Sequence, residues 1–129
     1  MMNCWSEKMS WMSVLKMHPA TKLVRADIHA ETKRQFEEGS FSSVVSWHQQ
    51  YPTLSLEEIK EKMREKIEWA WEQMIIPAKW LVDNESKLTE KGWTEDDIDW
   101  EEVKVADLGL ADKYLDSLRI NNGVYEYDL

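Results

Sequence analysis

Apolar positions recur along most of the chain at three- and four-residue spacing, the period of a helix rather than of a strand. The clearest stripe is Leu56, Ile59, Met63, Ile67, Ala70 and Met74. It is punctuated at its start. Ser55 and Glu58 stand in capping-box register, and Leu54 with Ile59 fits the hydrophobic staple around it. The opposite face alternates charge. Pro77 lacks a donor and would meet the carbonyl of Gln73, so a kink or break is expected there. A further helix with Trp80, Leu81, Asn84 and Leu88 then runs to Gly92.

Upstream, Ser6 can cap a short helix to about Met17, with Met9, Met12 and Leu15 on one side, until His18-Pro19 breaks it. A second helix opens at Thr21 or just after, and Gly39 closes it as a C′ residue. Ser40 caps a third, in which Phe41, Val44, Val45 and His48 share a face, and Tyr51-Pro52 ends it. Downstream, Thr94 with Asp97 repeats the capping pattern, and Trp93 with Ile98 repeats the staple. Val103 and Val105 alternate like a strand, whereas Leu110, Ala111, Tyr114, Leu115 and Leu118 are spaced like a helix. Asn122-Gly123 reads as a hairpin turn between residues 119–121 and 124–127, or as a helix C-cap. The pattern predicts a mainly α fold: a compact bundle of about five to six helices, with room for a small C-terminal β-hairpin. Nothing repeats and no linker stands out, so residues 1–129 read as one domain.

Composition adds an asymmetry that the periodicity does not show. Residues 1–82 hold 11 acids and 11 bases, whereas residues 83–129 hold 14 acids and 5 bases, so the net charge of −9 lies wholly in the last third. An acidic surface repels nucleic acid and anionic membranes and favours a protein partner with a basic surface. Cys4 is the only cysteine, which excludes an internal disulfide and fits a reducing compartment. No stretch approaches the ~18 uninterrupted apolar residues of a membrane span. The first residues have no basic stretch leading into an apolar one, so a cytoplasmic location is expected.

Candidate chemistry is sparse. With four scattered glycines there is no phosphate-cradling loop. His18, His29 and His48 are too dispersed for a metal pair. Asp97-Ile98-Asp99-Trp100-Glu101 begins like a calcium loop, but Glu102 stands where glycine is needed. His48 with Glu57 or Glu58 offers a catalytic pairing, yet His48 falls on an apolar face and reads better as a hydrogen-bonded core residue. No catalytic, metal-binding or cofactor-binding residue is therefore expected, and a non-enzymatic role is. The sharpest feature is the run from Thr94 to Glu102, with six acids (Glu95, Asp96, Asp97, Asp99, Glu101, Glu102) framed by Trp93 and Trp100. A helix rises 1.5 Å per residue and duplex DNA carries one charge per ~1.7 Å, so such a run approximates a phosphate row. Trp69 lies off the main apolar stripe and Trp71 on its margin, so at least one should be exposed or buried against a partner. These eight residues of the run and Trp69 are the candidate partner contacts.

Within residues 36–70, Gly39-Ser40 followed by Tyr51-Pro52-Thr53-Leu54-Ser55-Leu56-Glu57-Glu58-Ile59 resembles a small bacterial family of antitoxin-like helix-turn-helix proteins of unknown function. The chain departs from that pattern in its longer glycine-to-tyrosine spacing, in lacking an upstream Gly-Thr-Arg segment, and in the acidity of the helix after Ser55. The resemblance implies a helical DNA-binding unit, whose basic face would come from Lys33, Arg34 and residues 60–66.

Three functions follow from these features. The leading one is a non-enzymatic, acidic protein-binding module, with the composition of small phage inhibitors that engage basic nucleic-acid enzymes. The second is a helix-turn-helix antitoxin or transcriptional regulator. The third is a small-molecule or nucleotide sponge, which would need an apolar pocket with two tryptophans and a basic residue. Exposed aromatic surface leaves room for a homodimer.

Overall fold

The computed structural model describes residues 17–127, so the helix expected over residues 6–17 lies outside the described residues. Five helices and a terminal hairpin follow in order: α1 (Pro19–Gln35), α2 (Phe41–Gln50), α3 (Leu56–Glu72), α4 (Ile75–Glu90), α5 (Trp100–Ser117), β1 (Leu118–Asn121) and β2 (Val124–Tyr127). The fold is mainly α, as the apolar spacing predicts. Among the described residues no helix is long and apolar enough to cross a membrane.

The helix ends show where local chemistry and packing agree and where they compete. Ser55 caps α3 with both halves of the capping box formed. At the end of α4, Gly92 takes a φ of 72°. Its N–H donates to Thr89 O and that of Trp93 to Leu88 O, the paired bonds of a Schellman stop. Asn122 and Gly123 both have positive φ, which sets a tight turn matching the twist of the antiparallel β1–β2 pair.

Four boundaries differ from expectation. First, α1 starts at Pro19, not Thr21, because proline is pre-set for the first helical position and His18 Nδ1 accepts the Ala20 N–H at 3.0 Å. Second, Gly39 does not stop the helix: it lies in a π-helical turn, Phe36–Ser40, that leads directly into α2. Buried Phe36 stacks on Tyr114 of α5 with ring centroids 5.5 Å apart, and its backbone stays helical. Third, the break expected at Pro77 falls at Met74, which adopts a left-handed φ of 59°. Pro77 then occupies the first turn of α4, where backbone N–H groups have no intrahelical acceptor to lose. Met74 thereby leaves the α3 stripe and is exposed. Fourth, Val103 and Val105 do not form a strand. They lie in α5, with Val103 fully buried and Val105 59% exposed, as a helical period requires.

Two apolar clusters fill the interior. One gathers Val24 and Ile28 of α1, Trp71 of α3, Trp80 and Leu88 of α4, and Val103 of α5. The other gathers Phe36, Val44, Ile59 and Met63 with Ala111, Tyr114 and Leu115 of α5 and Leu118 of β1. Ile67 packs against both. Helix α5 runs through the two clusters, and its contribution changes from apolar to charged at the level where they meet.

Candidate functional site

Two apolar stripes run in parallel through the bundle, and both are interrupted at the same level. On α5, Val103, Asp107, Ala111 and Leu115 form a buried stripe at four-residue spacing. On α1 and the turn after it the matching stripe is Ala20, Val24, Ile28, then half-buried Thr32, then Phe36. Asp107 and Thr32 thus stand where each stripe would carry an aliphatic side chain. They meet: Thr32 Oγ1 donates to Asp107 Oδ1 at 2.7 Å, and Trp71 Nε1 of α3 donates to Oδ2 at 3.0 Å. The carboxylate therefore links three helices while being only 3% exposed.

This environment is unusual for a carboxylate, because buried charges are ordinarily paired with an opposite charge. Asp107 makes no ion pair among the described residues. His29 acts on it electrostatically but forms neither a hydrogen bond nor an ion pair with it. Burial pushes the Asp107 carboxyl above its ordinary value of 3.8, and the bonds from Thr32 and Trp71, with His29, oppose that rise only in part.

Asp107 also floors a two-lobed cleft. The larger lobe, about 500 Å³, opens between α1 and α4 and includes Ile75, Ile76 and Trp80 in its walls. The smaller, about 310 Å³, is bounded by Phe36, Trp47, Met63 and Lys66. Thr32, Gln35, Ile76 and Asp107 border both lobes. Trp80 is buried, and its Nε1 has no hydrogen-bond acceptor among the described residues. At the rim, Lys87 reaches Asp27 at 2.9 Å. Glu31 pairs with Arg34 at 2.6 Å, and the hydrogen bonds of Arg34 and Gln35 hold its carboxyl down at about 2. Lys66 lies 5.0 Å over the ring of Trp47.

The acidic run is distributed differently from the single capped helix that its sequence implies. Thr94 and Asp97 do form a capping box, but it closes only a 3₁₀ turn, Glu95–Asp97. A second start follows at once, in which Asp99 caps α5 by accepting the Glu102 N–H at 3.2 Å. The cause is Thr21 of α1, whose buried hydroxyl donates to Asp97 O at 3.3 Å and accepts the Asp99 N–H at 2.9 Å. That anchor pulls the chain out of helical register between the two turns. Asp97 also faces His18 at 3.8 Å, and Glu102 faces Arg25 at 3.6 Å. Glu95, Asp96 and Glu101 remain exposed, with no ion pair among the described residues. Trp93 and Trp100 are half-buried against the first cluster, Trp100 edge-on to Trp80, whereas Trp69 is 54% exposed.

Other sequence-level candidates have structural duties. His48 Nδ1 is 2.6 Å from the Tyr125 hydroxyl, tying α2 to the hairpin. Of the cations proposed for a basic face, Lys60 is buried beside Glu57. Arg64 is held by Asp112 and Asp116 of α5, and Arg34 by Glu31 and Glu38. Among the described residues no group of three or more His, Cys, Asp or Glu is placed to hold a metal ion. No family model, no curated protein and no solved structure matches the chain.

Asp107, Thr32 and Trp71 are not among the contact residues that the sequence pattern predicts. The signal was present, since Asp107 lies four residues from both Val103 and Ala111. It was hidden by the apparent alternation of Val103 and Val105, which broke the stripe before it reached Asp107.

Proposed function

We propose that the protein is a non-enzymatic binding module for a small organic ligand, seated in the cleft above Asp107. One observation carries this: a buried carboxylate with two neutral donors and no ion pair stands at the floor of a cleft. The combined size of its two lobes lies in the range of small-molecule sites. Two tryptophans, Trp47 and Trp80, and the lysines Lys66, Lys79 and Lys87 border it. The non-enzymatic part of the reading is supported by the partners of Asp107, a threonine hydroxyl and an indole rather than a second titratable group at hydrogen-bonding distance.

Ligand-observed NMR on the full chain with a panel of small aromatic compounds tests this. Binders are expected whose signals return to the free state in Gln35→Trp, which places a large ring at the border of both lobes. A panel without binders, or binders indifferent to that substitution, contradicts the proposal.

A second reading, contact with a basic protein, is supported by Glu95, Asp96 and Glu101, whose carboxylates have no ion pair among the described residues. It draws less from Trp93 and Trp100, which are packed into the core. Capture of a partner that weakens as salt rises, and that fails with all three acids replaced by amides, is its expected signature. Salt-indifferent capture would remove it.

A further inference from the structure

The charge around the cleft indicates what kind of ligand belongs there. The larger lobe is bordered by four carboxylates, Asp27, Glu31, Asp83 and Asp107, and by two cations, Lys79 and Lys87. Lys87 is spent on Asp27 at 2.9 Å, and Glu31 is satisfied from outside the lobe by Arg34 at 2.6 Å. Lys79 and Asp83 lie one turn apart on α4, and Lys79 acts electrostatically on Glu31. Asp107 is the buried one of the four and has no ion pair among the described residues, His29 acting on it only electrostatically. The cation of the smaller lobe, Lys66, lies over the Trp47 ring and forms no ion pair with Asp107.

From this buried carboxylate without an ion pair we infer that the cleft takes an organic monocation with a flat apolar body, its charged head donating to Asp107 and its body lying between the lobes. The inference rests on the small-ligand reading above. Each Asp107 oxygen accepts one intramolecular hydrogen bond and keeps a further lone pair, so a two-pronged head of the amidinium or guanidinium kind matches it. Such a head supplies the missing positive charge where solvent cannot. Trp80 adds an aromatic residue to the border of the larger lobe, and a ring attracts cations through its negative face, whereas the ring of Trp47 is already covered by Lys66. An anionic ligand would instead place like charge beside a carboxylate in a region of low polarity, where repulsion is strongest.

The test uses three phenyl compounds of nearly one shape and different charge: benzamidine (cation), benzamide (neutral) and benzoate (anion). Each is titrated into the full-length protein and followed by the indole N–H signals. Benzamidine is expected to bind at least tenfold more tightly than benzamide, and benzoate more weakly than both. The preference for benzamidine should vanish in Asp107→Asn, an isosteric change that removes the charge and leaves both Thr32 and Trp71 a partner. If benzamide or benzoate binds as well as benzamidine and is displaced by Gln35→Trp, the cleft is a ligand site but the cation inference is overturned. If none of the three binds in a manner sensitive to Gln35→Trp, the inference and the small-ligand reading fall together. A tenfold preference that persists in Asp107→Asn also overturns the inference, since the charge would then be read elsewhere.

Discussion

The indole Nε1 of Trp71 donates to Oδ2 of Asp107 across 3.0 Å, joining α3 to α5 at the level where the two apolar clusters meet. Without that bond a carboxylate buried among helices would keep only the Thr32 hydroxyl. Trp71→Phe should therefore destabilise the fold by about 1–3 kcal/mol, the usual cost of leaving one partner of a buried polar pair unsatisfied. Urea unfolding of Trp71→Phe, of Asp107→Asn and of the double variant measures it. The double variant should cost less than the two single ones added together, because Trp71→Phe then leaves a neutral amide rather than a carboxylate short of a donor.

Asp107→Asn alone should be mild at neutral pH, within about 1 kcal/mol. The asparagine carbonyl accepts from Trp71 as the carboxylate does. The Thr32 hydroxyl, which donates to Asp107, turns to accept from the new amide. A loss of several kcal/mol in urea unfolding would mean that the charge itself, and not its hydrogen bonds, holds the three helices together.

Ionisation of Asp107 has a definite sign in the pH dependence of stability. Its folded carboxyl titrates above the ordinary 3.8, so between those two values the folded chain holds a proton that the unfolded chain has released. Stability should accordingly fall as pH rises through that window. Glu31 works in the opposite sense. Held down to about 2, it supports the fold above its ordinary 4.5 and withdraws that support as pH drops towards 2. Being exposed, it should contribute little. The difference between the wild-type and Asp107→Asn unfolding curves, followed by circular dichroism against pH, isolates the Asp107 component.

The helical period of α5 is tested by two valines. Val103→Ala removes buried side-chain volume and should cost on the order of 2 kcal/mol, whereas Val105→Ala lies in solvent and should stay within about 0.5 kcal/mol. Equal costs would place both residues in the interior and contradict the helix.

Much of the fold was legible because its stops and starts are local chemistry. The Ser55–Glu58 box, the glycine stop at Gly92 and the Asn122-Gly123 turn depend on residues close in sequence, and each stands where its pattern put it. What was not legible depends on residues far apart. Thr21 splits the acidic run from 78 positions away, and Phe36 carries the chain helically past Gly39 by stacking on Tyr114. Pro77 marked a break but not its position, since a proline is equally at home in the first turn of the next helix. The cleft was hidden for the same reason. Asp107 is one more acid in an acidic segment until Thr32 and Trp71 are seen to bury it.

The claim that the cleft above Asp107 is the binding site is tested most directly by the indole N–H spectrum of the full chain, assigned by single Trp→Phe variants, as benzamidine is added. Trp71 holds the Asp107 carboxylate, Trp80 lines the larger lobe, and Trp69 lies exposed and borders neither lobe. The Trp71 and Trp80 signals should move together along one saturating curve while Trp69 stays fixed. Movement of Trp69 alone, or no saturating movement of Trp71 and Trp80, would contradict the account.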